Sequence, residues 1–303
     1  MKNIIKPNTF IIGAQKAATT SLYNWISQHP DVCAPSTLKD YPFFLRDKFF
    51  DKGIESLKNE YIESGFIDQK IIMQGNVQYM FDSKAIKRIF EFDSNAKLIC
   101  VLRNPVDRAI SAHKYFSKLN IETLSLSEAI KTENERSKES LQAYFDFTYK
   151  AHGLYAKQLE AIFSIFNRDK VLVLIYDNLK QHPEECMKEV FHFLEIDEQF
   201  KPSFHILNST GTVKYQLLQN LFFSKNKFRK YLVDNVVDPI LPLHKRTKLR
   251  WQFSEWNTKK ENLNDTRKVD SFLKERQELK DYFFNEIEEL EKLLNINLNA
   301  WKH

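Results

Sequence analysis

Apolar positions in this chain fall into short unbroken runs, separated by polar stretches of helical period. Thr9-Phe10-Ile11-Ile12 is apolar, partly β-branched and closed by Gly13. Lys97–Leu102 (KLICVL) and Lys170–Tyr176 (KVLVLIY) have the same character. Runs without alternation predict strands buried on both faces, as in a parallel sheet. Between them the spacing becomes helical. Leu22, Trp25 and Ile26 mark a helix within Thr19–His29, stopped by Pro30. Ala109, Ile110 and Ala112 mark a second, starting near Pro105, where the missing N–H of proline is tolerated. Further helices are predicted over Ser127–Lys138, with Ser127 as N-cap and Ala129 and Ile130 on one face, and around Glu184–Leu194. Near the end, Val269, Leu273, Phe283, Ile287, Leu290 and Leu294 belong to a series at three- and four-residue steps. They predict an amphipathic helical segment over about 264–297, packed on the rest. The whole predicts an α/β fold: a central parallel β-sheet flanked by helices on both faces, in one domain from 1 to 303.

Composition narrows the function. The 303 residues are 43% hydrophobic, enough for a large core. Lys plus Arg number 45 against 40 Asp plus Glu, a net charge of +5. That excess suits an anionic ligand and is too dispersed for nucleic acid. Residues 225–251 carry some of the basic and aromatic composition of a nucleic-acid stripe, and substrate-facing basic residues explain it equally well. Cys33, Cys100 and Cys186 are far apart, with no CxxC pair, which excludes a disulfide framework and a structural zinc site. A reducing, cytoplasmic setting is expected. Lys6, Pro7 and Asn8 interrupt any leader-like run, and no stretch reaches the ~18 apolar residues of a transmembrane helix. The pattern sets no oligomeric state.

Two segments carry chemistry. Gly13–Ser21 (GAQKAATTS) lies between a buried strand and a helix. A helix N-terminus offers unpaired N–H groups and partial positive charge. Lys16 and the hydroxyls of Thr19, Thr20 and Ser21 add to this, and the small Ala17 and Ala18 let the backbone approach an anion. The loop is not a Walker A motif, because Lys16 stands three residues after Gly13 and no second Gly follows. Arg103–Ser111 (RNPVDRAIS) follows the end of another strand, where open α/β sheets bind ligands. Arg103 can clasp a phosphate bidentately and Ser111, in the next helix, can donate a hydroxyl.

Together, GAQKAATTSLYNWISQHP and KLICVLRNPVDRAISAHKYF resemble the two signature motifs of the sulfotransferase superfamily. YDNLKQHPEECMKEVFHFLEID is similar to the strand–helix segment that follows in bacterial members, and Gly153, Tyr155 and Gln158 to a recurrent G-x-Y-x-x-Q pattern. The ending LNINLNAW resembles the closing segment of the family. The resemblance implies a P-loop-NTPase-like fold and transfer of a sulfuryl group from 3′-phosphoadenosine 5′-phosphosulfate (PAPS), releasing PAP without a metal. It implies that Gln15, Lys16, Ala17, Ala18, Thr19, Thr20 and Ser21 hold the 5′-phosphosulfate. Arg103 and Ser111 would hold the 3′-phosphate, with Tyr155 nearby. Thr212, Lys214 and Tyr215, within NSTGTVKY, resemble the loop that closes over the nucleotide.

Lys39-Asp40-Tyr41-Pro42-Phe43-Phe44 resembles the K-E-x-x-F-F stretch of carbohydrate sulfotransferases, including the heparan sulfate enzymes. The resemblance implies Asp40 as the base, one methylene shorter than the family's Glu, with Lys16 and Lys39 as catalytic cations. His29, His113 and His152 are the alternative bases, each also readable as a capping or surface residue. Gln74 and Gly75 stand where the carbohydrate enzymes often carry an acid and a Lys. That departure points to an acceptor smaller than a sulfated polysaccharide, a carbohydrate or other small molecule. Phe43, Phe44, Tyr79, Tyr144, Phe145 and Trp251 are candidates for its walls as well as for the core. A divergent P-loop kinase or NTPase, and an inactive PAP-binding module, are the competing readings. The first lacks the second Gly and a magnesium-binding Asp after a strand, and Lys16 with Asp40 argues against the second.

Overall fold

The computed structural model describes residues 5–204, 211–213, 253, 256, 258–260 and 272–302. Its contacts divide the chain into two units interleaved in sequence. The first comprises 1–108, 152–206 and 282–303, the second 109–151 and 207–281.

The first unit carries the sheet. Its strands are β1 (Thr9–Gly13), β2 (Val32–Cys33), β3 (Ile71–Gly75), β4 (Lys97–Leu102) and β5 (Val171–Ile175). They lie in the order β2-β3-β1-β4-β5, all parallel. β1, β4 and β5 are the three apolar runs; every residue of β1 is buried, as continuous burial on both faces requires. β2 and β3 did not stand out in the sequence. β2 is two residues long, and β3 reads Ile-Ile-Met-Gln-Gly, where the polar Gln74 and the Gly end the apolar run early.

Helices cover both faces. The described helices of the chain include α1 (Thr19–Ile26), α2 (Ser83–Phe92), α3 (Pro105–Lys118), α4 (Leu126–Lys131), α5 (Tyr155–Phe163), α6 (Tyr176–Gln181), α7 (Pro183–Leu194), α8 (Leu273–Leu294) and α9 (Asn299–Lys302), of which α4 lies in the second unit. The amphipathic C-terminal segment is thus α8, a break and α9. Its helix begins at Leu273, and the predicted part over 264–271 lies outside the described residues. The cap of α4 is Ser125 rather than Ser127, because Ser125 accepts from Glu128 N–H while the Glu128 carboxylate accepts from Ser125 N–H, a reciprocal capping box. The helix predicted through Lys138 is interrupted at Thr132.

Within the second unit, Arg136 forks onto the buried Glu122 carboxylate at 2.9 and 3.0 Å, and the Tyr149 hydroxyl donates to it at 2.7 Å. A buried charge needs such a complete set of partners.

A long-range cap joins α8 to α5. No side chain of its own caps α5; Glu286, 6% exposed, accepts from Ala156 N–H at 2.6 Å. The approach is close, since a Cβ on Gly153 would come within 2.6 Å of the Phe283 ring. Burial pushes the Glu286 carboxyl up to about 7, against the lowering effect of the Ala156 N–H; Glu289 and Glu160 raise it and Lys157 lowers it. The folded chain therefore holds a proton that the unfolded chain releases near the ordinary 4.5. The stability this lends is present below that pH and is lost as pH rises toward 7. Glu286→Gln keeps an acceptor for Ala156 and has no proton to lose. Its melting temperature should fall less than wild type between pH 5 and 7 and exceed it at pH 8. Parallel melting curves at every pH would remove Glu286 from this role.

Candidate active site

The carboxyl edge of the sheet sets out the site in strand order. Residues 14–18 leave β1, Arg103 leaves β4, Tyr176 follows β5, and Lys39-Asp40 lies against the end of β3. Neighbouring parallel strands are ~4.8 Å apart, so consecutive strand ends bring these groups along one rim.

The β1–α1 loop is bent tightly. Lys16 and Ala18 both adopt left-handed backbone, φ 67° and 60°. For residues with a Cβ that costs ~1–2 kcal/mol each. Such outliers persist where the surroundings over-determine them, often at ligand sites. The bend delivers the start of α1 without a side-chain cap and without an acid in its first turn. The N–H groups and partial positive charge of such a helix start suit an outside anion. Thr19 and Ser21 are buried in that first turn, and Lys16, Ala18 and Thr20 are half-buried. Gln15 is buried and accepts from Arg108 Nη1 at 3.3 Å.

Arg103 is brought to this loop. Its Nη1 donates to the Lys16 carbonyl at 3.2 Å. Its guanidinium lies over the Tyr176 ring, 4.8 Å from the centroid, a cation–π contact. Its own carbonyl accepts from the Tyr155 hydroxyl at 3.0 Å. Tyr155 is fully buried, so it reaches the site through Arg103. Burial pushes the Tyr155 hydroxyl up to about 12, against the lowering pull of Arg108 and Arg103, and keeps it a neutral donor. Ser111 is half-buried on α3 and belongs to the second unit.

On the other side of β1, Asp40 N–H donates to the Gly75 carbonyl at 2.7 Å. Asp40 also takes left-handed backbone, φ 64°. Its side chain is 45% exposed and accepts from Lys39 Nζ at 2.5 Å and from Val77 N–H at 3.4 Å. A solvent-facing carboxylate fixed by a lysine and a backbone donor can take a proton from a group arriving from solvent. The segment after β3 ties this acidic corner to β1: Asn76 N–H donates to Ile11 O and Met80 N–H to Ile12 O.

The histidines are otherwise engaged. His29 Nε2 lies 3.1 Å from the Asp197 carbonyl, with the ring packed on Phe191 and Phe200. His113 Nε2 lies 2.9 Å from the Leu124 carbonyl within the second unit. His152 stacks on Phe81 and bonds Gln78 Oε1 at 2.7 Å. Phe43, Phe44 and Tyr79 are core: Phe44 packs on Phe10, Phe43, Phe50, Tyr79 and Phe92. Tyr144 and Phe145 belong to the second unit, where their rings pack on one another. Thr212 lies on a short strand, Gly211–Val213, while Lys214, Tyr215 and Trp251 lie outside the described residues.

Sequence reading missed Arg108 and Tyr176. Arg108 sits one turn from Pro105 and Ala112 on the apolar side of α3 and is fully buried. A charge on the apolar stripe was its signal. Tyr176 was read as the end of a strand, and only the fold places its ring under Arg103.

Comparison with known proteins places the chain in a family. Residues 6–235 match the family model of the sulfotransferase domain. Human heparan sulfate glucosamine 3-O-sulfotransferase 3B1 is 29% identical over 207 residues, 67% of this chain and 50% of that protein. Mouse bifunctional heparan sulfate N-deacetylase/N-sulfotransferase 4 is 26% identical over 221 residues, 65% of this chain and 23% of that protein. The chain thus spans half or less of the length of these relatives. The crystal structure of a sulfotransferase from Alicyclobacillus acidocaldarius superposes with a TM-score of 0.66 at 25% identity, covering 98% of this chain and 99% of that one.

Proposed function

This chain belongs to the sulfotransferase family, and from that premise we propose that it moves the sulfuryl group of PAPS to a hydroxyl or amine, leaving PAP. The observation that carries the reading is the uncapped start of α1, with Lys16 in its approach and Arg103 tied to the same loop at 3.2 Å. These residues fit a nucleotide that bears phosphate at two ends. PAPS supplies an already activated sulfuryl group, so the protein's task is alignment and charge stabilisation rather than covalent chemistry.

The loop N–H groups with Thr19, Thr20 and Ser21 would hold the 5′-phosphosulfate, and Arg103 with Ser111 the 3′-phosphate. Lys16 would offset the charge that grows on the leaving phosphate oxygen. Asp40 would accept the acceptor's proton, its exposed carboxylate oriented by Lys39 and Val77 N–H.

The heparan sulfate relatives support a carbohydrate acceptor. The floor of the acceptor side supports a small one. Gln74 is fully buried. A Cβ on Gly75 would lie 3.3 Å from Ile11 and from the Tyr23 ring, tight for the stem of a lysine. A polyanionic glycan finds no cation at these two positions. Cys33, Cys100 and Cys186 are free and buried, which supports a reducing, cytoplasmic setting. No described helix is long and apolar enough to cross a membrane.

Calorimetric titration with PAP in chelator-treated buffer, beside ATP with magnesium, tests the reading. PAP should bind and ATP should give no comparable heat. Binding of ATP without PAP would return the chain to the NTP-binding proteins.

A further inference from the structure

Trp301 lies in the LNINLNAW segment, and nothing in the proposed reaction uses it. It is buried on α9, 3% exposed, and α9 is firmly held. Lys302 Nζ contacts Glu291 Oε2 at 2.5 Å, and Leu298 N–H donates to Glu291 Oε1 at 2.6 Å. Burial alone would make Trp301 a packing residue. Its polar groups say more, because both engage residues that flank the site. The indole Nε1–H donates to Asp177 Oδ2 at 3.3 Å, and the backbone carbonyl accepts from Asn104 Nδ2 at 3.3 Å.

Asn104 directly follows Arg103, and its Oδ1 accepts from Val106 N–H at 3.0 Å at the start of α3. Asp177 directly follows Tyr176, whose ring lies under the Arg103 guanidinium. Trp301 therefore bridges the carboxyl ends of β4 and β5 on either side of Arg103. One end of the bridge sets the backbone from which Arg103 departs. The other sets the ring on which its guanidinium rests. Arginine is a long side chain, and clasping a phosphate with its fork requires the guanidinium plane to be fixed in advance.

We propose that Trp301 is a positioning residue for the 3′-phosphate subsite, tying Asn104 to Asp177 so that Arg103 is held in its binding orientation. The proposal rests on the reading of Arg103 as the 3′-phosphate ligand. It assigns a task to the closing LNINLNAW segment, distant in sequence from both phosphate-binding motifs.

The readout is discrimination between PAP and adenosine 5′-phosphate, which lacks the 3′-phosphate. Both are titrated calorimetrically against wild type, Trp301→Phe, Asp177→Ala and Asp177→Asn. Trp301→Phe keeps a buried ring and loses the donor. Asp177→Ala removes the acceptor from an exposed residue, so the fold is spared and this variant decides the matter should Trp301→Phe fail to fold. In both, the preference for PAP should fall about tenfold, the scale of one loosened charge-assisted contact. Affinity for adenosine 5′-phosphate should stay within about twofold, since its contacts lie at the Lys16 loop. Asp177→Asn keeps an acceptor for the indole and should retain the preference. Equal losses for both nucleotides, or unchanged preference in folded Asp177→Ala, would make Trp301 a packing residue and end the proposal. A wild-type protein with no preference for PAP would instead overturn the Arg103 reading itself, before any variant is compared.

Discussion

Lys16→Ala should cut turnover by about 10²–10³-fold, the usual loss when one stabilising group is removed from a developing oxyanion. The melting temperature should not move. Position 16 has left-handed backbone, φ 67°, and both Lys and Ala carry a Cβ, so the local strain is the same in either protein. In the proposed role the ammonium would act where charge is created, on the leaving phosphate oxygen, and much less on the bound ground state. The loss should therefore fall mainly on kcat, with a smaller change in KM for the donor. Steady-state rates at saturating donor, with a melting curve of the same sample, test this. Turnover near wild type in the folded variant would refute the role of Lys16.

Arg103→Ala should separate nucleotides that carry a 3′-phosphate from those that do not. A charged hydrogen-bonded contact is worth ~1.5–3 kcal/mol, so PAP and PAPS should weaken by about 10- to 150-fold. Adenosine 5′-phosphosulfate should weaken far less. It should weaken somewhat, because Arg103 Nη1 also holds the Lys16 carbonyl at 3.2 Å and its loss frees one point of the loop. Arg103→Lys should recover only part of the binding, since an ammonium cannot reproduce the fork or the rest on the Tyr176 ring. Equal weakening of the two nucleotide classes would mean that Arg103 serves the loop alone. These effects are separable from that of Lys16, because one is read in binding and the other in turnover.

The order of the groups along the rim explains how one site could align a transfer. Asp40 lies by the end of β3, the Lys16 loop follows β1 and Arg103 follows β4, and β1 sits between the other two. The proposed proton acceptor, charge stabiliser and donor anchor would thus occupy consecutive strand ends. The chain leaves β1 toward β2 and β3 on one side and later crosses to β4 on the other. That reversal opens the crevice in which α/β folds bind their ligands.

The amino-acid sequence by itself determined the framework of this protein. Thr9–Gly13, Lys97–Leu102 and the run ending at Tyr176 are apolar without alternation, a pattern that only strands buried on both faces sustain. Lys16 with three hydroxyls at a strand–helix junction marked the anion loop for the same local reason, since strand, turn and helix start are contiguous in the chain. The spacing Ser125-x-x-Glu128 is that of a capping box, but the cap was expected at Ser127, and the structure puts it at Ser125. What the tertiary structure decided was everything that depends on residues far apart in sequence. β2 and β3 exist because their few residues pair with neighbours already in the sheet, not because of their own pattern. Buried Arg108 meets Gln15 across 93 positions, Glu286 caps α5 from α8, and Trp301 reaches Asn104 and Asp177 from the end of the chain. Periodicity records which way a side chain faces and not what it faces. The partners of a buried polar group are set only when the elements pack, and around Arg103 those partners are what turn a basic residue after a strand into an aimed one.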